Sequence, residues 1–171
     1  MDYLEREFSG IAKCGTLYDS DPLKRANQEM IMAKTDQLAF NLYTVLMSRG
    51  QDQPSYATMT KALDFLNMQL EISKTEFFNS KESYSMEDLF AFPFVSRLFY
   101  LKDSELHYMY ESLDLENRYK YLFRWFKAIQ AKPELNDGRA IIPVNAFKNW
   151  LVELSTTPLG KKPPLRLPTK L

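Results

Sequence analysis

Residues that usually support metal or cofactor chemistry are scarce in this chain of 171 residues. It has one cysteine, Cys14, and one histidine, His107. A single cysteine excludes an internal disulfide and favours a reducing compartment. One histidine without a cysteine pair gives no metal-ligand spacing, and neither a Gly-rich phosphate loop nor a nucleophile elbow occurs. We therefore expect no metal site, an incidental loop cysteine at Cys14 and a surface position for His107.

An excess of one charge and long apolar runs are also missing. Lys+Arg and Asp+Glu number 22 each, whereas proteins that bind nucleic acid by counterion release usually have a basic excess. The sequence contains no run of about 18 apolar residues, so no membrane span is predicted. The N-terminal "MDYLEREF" lacks the apolar core of a signal peptide. The composition is 45% hydrophobic, so we expect one packed, soluble, intracellular domain, either cytoplasmic or organellar, with a mitochondrial complex as one option.

Apolar residues recur at helical spacing along most of the chain, which predicts an all-α fold. The first helix has Asp21 as N-cap, Pro22 as its first residue and Gly50 after its end. Its apolar stripe comprises Met30, Ala33, Leu38, Phe40, Leu42, Val45 and Met47. Further helices are predicted at 55–73, 86–101, 116–131 and from Pro143 onward, with a turn or short helical piece in "KDSELHYMYESLD". Strand character is confined to fragments such as "RAIIPV".

The stretch "YSMEDLFAFPFVSRL", residues 84–98, begins a helix with strong local signals and then contains a proline. Ser85 and Asp88 have the spacing of a capping box, and Tyr84 and Leu89 the spacing of a hydrophobic staple. Pro93 removes a backbone donor inside the helix. We interpret these residues as structural rather than catalytic. Burial is expected to outweigh the defect, through Leu89, Phe90, Phe92, Phe94 and Leu98.

The order of these signals resembles a known domain. The chain is similar to the C-terminal helical domain of cytosolic glutathione transferases, especially omega-type ones. The similarity lies in a helix opening with "SDP", a second long helix, the capped "SMEDLFAFPFVSRL" and then "YLFRWFKAIQAKPEL". The resemblance covers roughly residues 1–135. It implies a glutathione-transferase C-terminal-like helical bundle at 21–154, preceded at 1–20 by a helix end and linker. Residues 155–171 follow as an extended Pro/Lys-rich tail.

In that family, glutathione binds to an N-terminal thioredoxin-like domain, and none of that domain's catalytic or glutathione-holding residues can be placed here. "DYLEREF" resembles the end of its last helix. The first hypothesis is therefore a non-catalytic interaction or scaffolding subunit of a larger protein assembly, without a cofactor. The alternative is a fragment of a glutathione-dependent transferase or thiol reductase, in which a separate thioredoxin-like domain supplies the glutathione site.

Two sets of residues are candidates for partner contacts. Phe40, Tyr43 and Met47 on the first helix could wall a hydrophobic pocket, although an apolar stripe at helical spacing more often forms core or interface. The tail residues are either a disordered end or a strap that docks on a partner: Lys161, Lys162, Pro163, Pro164 and Arg166. A basic-tail binder of RNA or membrane surfaces is a third, less favoured hypothesis. Homo-oligomers are compatible with the first hypothesis.

Overall fold

The computed structural model describes residues 17–80, 83–133 and 144–158, and the regular secondary structure in these ranges is helical, without a strand. The elements are α1 (Pro22–Met47), α2 (Gln53–Ser73), α3 (Met86–Tyr100), a 3₁₀ helix (Leu101–Asp103), α4 (His107–Leu113), α5 (Lys120–Gln130) and α6 (Val144–Thr156). The all-α prediction is confirmed for these residues. None of their helices combines the length and apolarity needed to cross a bilayer. The predicted helix end at 1–8 and "RAIIPV", except for Val144, lie outside them.

Local signals set both ends of α1. The Asp21 carboxylate accepts a hydrogen bond from the backbone N–H of Leu23 at 2.9 Å, as expected of an N-cap. At the other end Gly50 has φ +79°, a left-handed conformation that glycine adopts without a Cβ penalty. A connection of five residues, 48–52, leads into α2, and the two helices pack against each other as an αα-hairpin.

Helix α2 begins two residues before the predicted start at Ser55. The reason is that Asp52, not a later residue, is the N-cap, and its carboxylate accepts from the N–H of Ser55 at 3.0 Å. Pro54 lies within the first turn, where a missing N–H costs no intrahelical hydrogen bond. The predicted core face of α2 is buried throughout: Met59, Ala62, Leu63, Leu66 and Leu70.

Helix α3 lies at the centre of the bundle, where it contacts α1, α5 and α6. Its buried apolar residues include Phe92 and Leu98, but the predicted burial of Leu89, Phe90 and Phe94 is only partial. Pro93 is exposed. One side of α3 therefore faces solvent, and the proline lies on that side, where its ring displaces no core residue.

The start of α5 is a correction to the sequence prediction. A helix from residue 116 was expected, but residues 114–119 form turns and α5 starts at Lys120. The cause is tertiary: the side-chain oxygen of Asn67 on α2 accepts from the N–H groups of Tyr121 at 3.1 Å and Leu122 at 3.2 Å. A residue of another helix thus caps α5, and local sequence carries no signal of it.

Helix α6 is attached to α1 by a hydrogen-bonded arginine and by ring stacking. The Arg49 guanidinium donates to the carbonyl oxygens of Leu154, at 2.8 Å, and Thr157, so it caps the carboxyl end of α6. The rings of Tyr43 and Trp150 are stacked with centroids 6.4 Å apart. Since α6 continues to Thr156, the first two residues of the predicted tail, 155 and 156, are helical.

Candidate interaction surface

Asp88 is a buried acceptor that joins three segments of the chain. One carboxylate oxygen accepts from the indole N–H of Trp125 at 2.7 Å and from the backbone N–H of Phe78 at 3.1 Å. The other accepts from the backbone N–H of Ser85 at 2.9 Å and from its hydroxyl at 3.1 Å. Ser85 and Asp88 thus form a capping box whose acid also holds α5 and the loop before α3.

Glu87, the neighbour of Asp88, is equally buried and lies in a second network. Its carboxylate accepts from the amide N–H groups of Gln28, at 2.7 Å, and Asn79. Gln28 in turn donates to the carbonyl of Leu17 at 3.2 Å and accepts from the N–H of Asp19 at 2.9 Å. This network fixes α1 against the start of α3 and against the segment before α1.

Burial dominates the electrostatics of the two carboxyls. It raises the pKa of Asp88, although the hydrogen bonds from Ser85, Trp125 and Phe78 act in the opposite direction. It also raises the pKa of Glu87, and the charge of Asp88 adds to that effect. Both side chains are 0% exposed, so they are closed to a substrate and serve to join helices.

A pH prediction follows for Glu87. The folded chain holds the Glu87 proton more tightly than the unfolded chain, so this carboxyl adds stability below its ordinary pKa of 4.5 and loses that contribution as pH rises through the raised value. We expect the free energy of unfolding of Glu87→Gln, relative to the original chain, to increase between pH 4 and pH 7. Urea denaturation at several pH values measures this slope.

Glu116 provides a control with the opposite sign. Its hydrogen bonds with Lys102 and then Tyr110 lower its pKa, so its contribution to stability is present at neutral pH and is lost as pH falls through the lowered value. The Glu116→Gln variant should therefore lose stability, relative to the original chain, as pH rises. Slopes of the same sign in both variants would contradict the burial argument.

Helix α1 carries two apolar stripes on different sides. The buried stripe follows alternating steps of three and four residues and includes Ile31, Leu38 and Val45. The second one, here called the outer stripe, has the same spacing, is exposed and is apolar except at Gln37: Leu23, Ala26, Met30, Ala33, Gln37 and Phe40. At roughly 100° per residue, the centres of the two stripes lie about 150° apart. The outer stripe therefore faces away from the core.

Exposure of the large side chains in the outer stripe is high. Leu23 is 80% exposed, Phe40 76% and Met30 43%. The amino-terminal half of the stripe borders an open pocket of about 470 Å³, which Asn27 and Asn79 complete. Alternating steps of three and four residues match the knobs-into-holes geometry of paired helices, so the shape of this surface suits a second helix.

The three candidate residues of the first helix, Phe40, Tyr43 and Met47, lie within about 60° of one another around α1 but differ in exposure. Phe40 belongs to the outer stripe, Tyr43 is half exposed and stacks on Trp150 of α6, and Met47 is partly buried against the core. The carboxyl end of this face therefore passes from an exposed residue to one that packs on the core. The single apolar stripe predicted for this helix was wrong in that it merged buried residues such as Leu38 with outer-stripe residues such as Phe40.

The remaining sequence predictions concern Cys14, the tail, His107, the staple residue Tyr84 and a metal site. Cys14 and the tail residues Lys161, Lys162, Pro163, Pro164 and Arg166 lie outside the described residues. His107 is exposed at the start of α4. The staple residue Tyr84 is half buried and meets Phe77 edge-on at 6.4 Å. Within the described ranges, no three His, Cys, Asp or Glu side chains are grouped so that they could hold a metal ion.

Sequence reasoning missed the exposed position of Leu23 and the hydrogen bond from Trp125 to Asp88. Leu23 is the second residue of α1 and has Met30 seven residues later, and that heptad spacing was the available signal. The hydrogen bond from Trp125 spans 37 residues and has no local signal. A search with family models found no match to this chain, and a search of curated proteins also found none.

Proposed function

We propose that this chain is a non-catalytic interaction module, a structural subunit of a larger assembly that binds an amphipathic helix of another protein subunit along the outer stripe of α1. The observation that carries the proposal is the exposure of Leu23 and Phe40 on a helix face opposite the core. Exposed large apolar side chains on one helix face, with polar residues beside them, are typical of interaction sites. The 3–4 spacing favours a helix as the partner.

Charges beside the outer stripe suit a polar rim around this contact. Lys34 and Asp36 flank it near its centre, and Arg25 and Glu29 form an ion pair at 3.4 Å near its amino-terminal end. Charges of both signs at the edges of an apolar seam select a partner and its orientation, while the apolar residues supply most of the affinity.

The glutathione-transferase C-terminal-like identity remains part of this proposal. The capping box, the interior proline and the "RWF" segment of α5 support it at the level of sequence pattern. Under this proposal the catalytic half of such an enzyme is not required, and the helices act as a docking unit. Retention of the chain on immobilised glutathione would contradict it.

Substitution of the outer stripe tests the proposal directly. The Phe40→Ser variant should keep its stability within about 0.5 kcal/mol, because the side chain is mostly exposed. Its affinity for the native partner should fall by about 30-fold, as expected when an aromatic contact worth about 2 kcal/mol is lost. Chemical cross-linking in the source cells identifies the partner, and titration calorimetry with both purified proteins measures the change.

Ile72→Ser is the matched control, since Ile72 is a large apolar residue on α2 with 66% exposure. This variant should bind the partner as the original chain does. Equal losses of affinity in both variants would show nonspecific hydrophobic association rather than binding at a defined surface. Unchanged binding by Phe40→Ser, or a chain that stays monomeric and has no cross-linked partner in the source cells, would overturn the proposal.

A further inference from the structure

A separate pocket of about 510 Å³ opens where five elements meet. The end of α3, the 3₁₀ helix, α4, α5 and α6 each contribute to its wall, and it shares no residue with the outer stripe or with the buried carboxylates. Small-molecule sites typically enclose roughly 300–1,000 Å³ and combine aromatic walls with a few polar groups. We call it the Phe126 pocket, after the ring in its floor.

Aromatic rings form the floor of the Phe126 pocket. The rings of Phe99 and Phe126 are stacked, with centroids 4.5 Å apart and an interplanar angle of 19°. Phe123 lies 5.5 Å from Phe99, and Tyr100 meets Phe126 edge-on at 6.0 Å. Phe99 and Phe126 are nearly buried, so the partly exposed rings of Phe123 and Tyr100 offer most of the surface that a ligand ring can contact. Rings pack on such surfaces in offset-stacked or edge-to-face arrangements, and this wall therefore favours an aromatic ligand.

Two lysines on the rim are already paired with carboxylates. The ammonium of Lys102 lies 2.8 Å from Glu116, which also accepts the Tyr110 hydroxyl at 2.5 Å. The ammonium of Lys148 lies 3.6 Å from Asp103. These contacts balance two positive and two negative charges, so neither pair by itself calls for an added anion.

Lys127, the third lysine of the Phe126 pocket, differs from the other two. Within the described ranges it has no carboxylate within 4 Å, although its charge contributes to the lowered pKa of Glu116, and its ammonium lies over the rings of Phe123 at 5.5 Å and Phe126 at 5.8 Å. Three lysines against two carboxylates leave one positive charge in the pocket, positioned beside the aromatic floor. A single negative charge attached to an aromatic ring would match both features.

We propose that the Phe126 pocket binds a small aromatic monoanion, an aryl carboxylate, whose ring packs on the phenylalanine floor and whose carboxylate accepts a hydrogen bond from Lys127. A neutral aromatic compound would leave the net positive charge of the pocket unmatched, and an aromatic cation would be repelled by it. The site is independent of the function proposed for the outer stripe.

Titration of isotope-labelled full-length chain with 2-naphthoate tests the site, with ¹H–¹⁵N spectra as the readout. The neutral 2-naphthol and the cationic 2-naphthylmethylammonium have the same ring system and serve as matched ligands. We expect naphthoate shifts to be concentrated at the elements around the Phe126 pocket, and naphthoate to bind at least about fivefold tighter than naphthol. Shifts spread over the outer stripe, or equal affinities for all three compounds, would overturn the proposal.

The Lys127→Gln variant removes the charge and keeps most of the stem. It should weaken naphthoate binding about fivefold and leave naphthol binding unchanged, since only the charge-assisted contact is lost. Lys120→Gln, at the exposed start of the same helix, is the control and should bind naphthoate normally. Spectra of both variants also verify the fold. Naphthoate binding that is insensitive to Lys127→Gln would exclude this lysine as the anion contact and overturn the proposal.

Discussion

Replacement of Asp88 by asparagine should lower the free energy of unfolding by about 3 kcal/mol. The carboxylate accepts four hydrogen bonds, from Ser85, Phe78 and Trp125, and asparagine would turn an NH₂ group toward some of these donors in either orientation. Each buried donor left without an acceptor costs about 1–3 kcal/mol. Urea denaturation monitored by circular dichroism measures the loss, and the melting temperature should fall by about 6–12 °C.

Two further variants separate the contributions at this site. Trp125→Phe keeps an aromatic ring and deletes one donor. Its cost should equal about one buried charge-assisted hydrogen bond, which is less than the cost of Asp88→Asn. Asp64→Asn makes the same chemical change at a half-exposed carboxylate that pairs with Arg118 at 3.0 Å, and exposed pairs contribute at most about 1 kcal/mol. An Asp88→Asn variant as stable as Asp64→Asn would show that the carboxylate is not the centre of this network.

The start of α3 illustrates how far local sequence carries the prediction. The box of Ser85 and Asp88 could be predicted because both partners lie within one helical turn. The indole of Trp125 could not, because its hydrogen bond depends on how α5 packs on α3. The same limit applies to α5 itself, whose first N–H groups are capped by Asn67 of α2. Local signals predict that a helix begins, and tertiary contacts decide where.

The surface of α1 shows a different limit. A helix that packs on one side usually has one apolar stripe, but α1 has two. Its apolar residues follow the 3–4 spacing in two series, one on each side of the helix. Periodicity alone cannot say which register faces the core, and Leu38 and Phe40 look equivalent in sequence. Only the position of α2 and α3 distinguishes them. The candidate interaction surface therefore emerges from packing, although its residue types were visible in the sequence.

Replacement of Pro93 by alanine should raise the free energy of unfolding by about 2 kcal/mol. Proline cannot donate to the carbonyl of Leu89, and proline inside a helix costs about 3 kcal/mol relative to alanine. Pro93 is exposed, so its ring contributes little packing to lose. The gain is reduced because alanine leaves the unfolded chain with more conformational freedom, by about 0.4–1 kcal/mol. Chemical denaturation of both proteins measures the difference.

Pro54 is the control of opposite expectation, since it occupies the first turn of α2, where the ring is compatible with the helix and no N–H is missed. The Pro54→Ala variant gains no hydrogen bond there, and its unfolded chain has more conformational freedom. Its free energy of unfolding should therefore fall by about 0.4–1 kcal/mol. If Pro93→Ala also destabilises the chain, the ring of Pro93 must contribute more to the native state than its exposure indicates. Pro93 would then be part of how α3 fits between its neighbours, rather than a defect that the buried side of the helix tolerates.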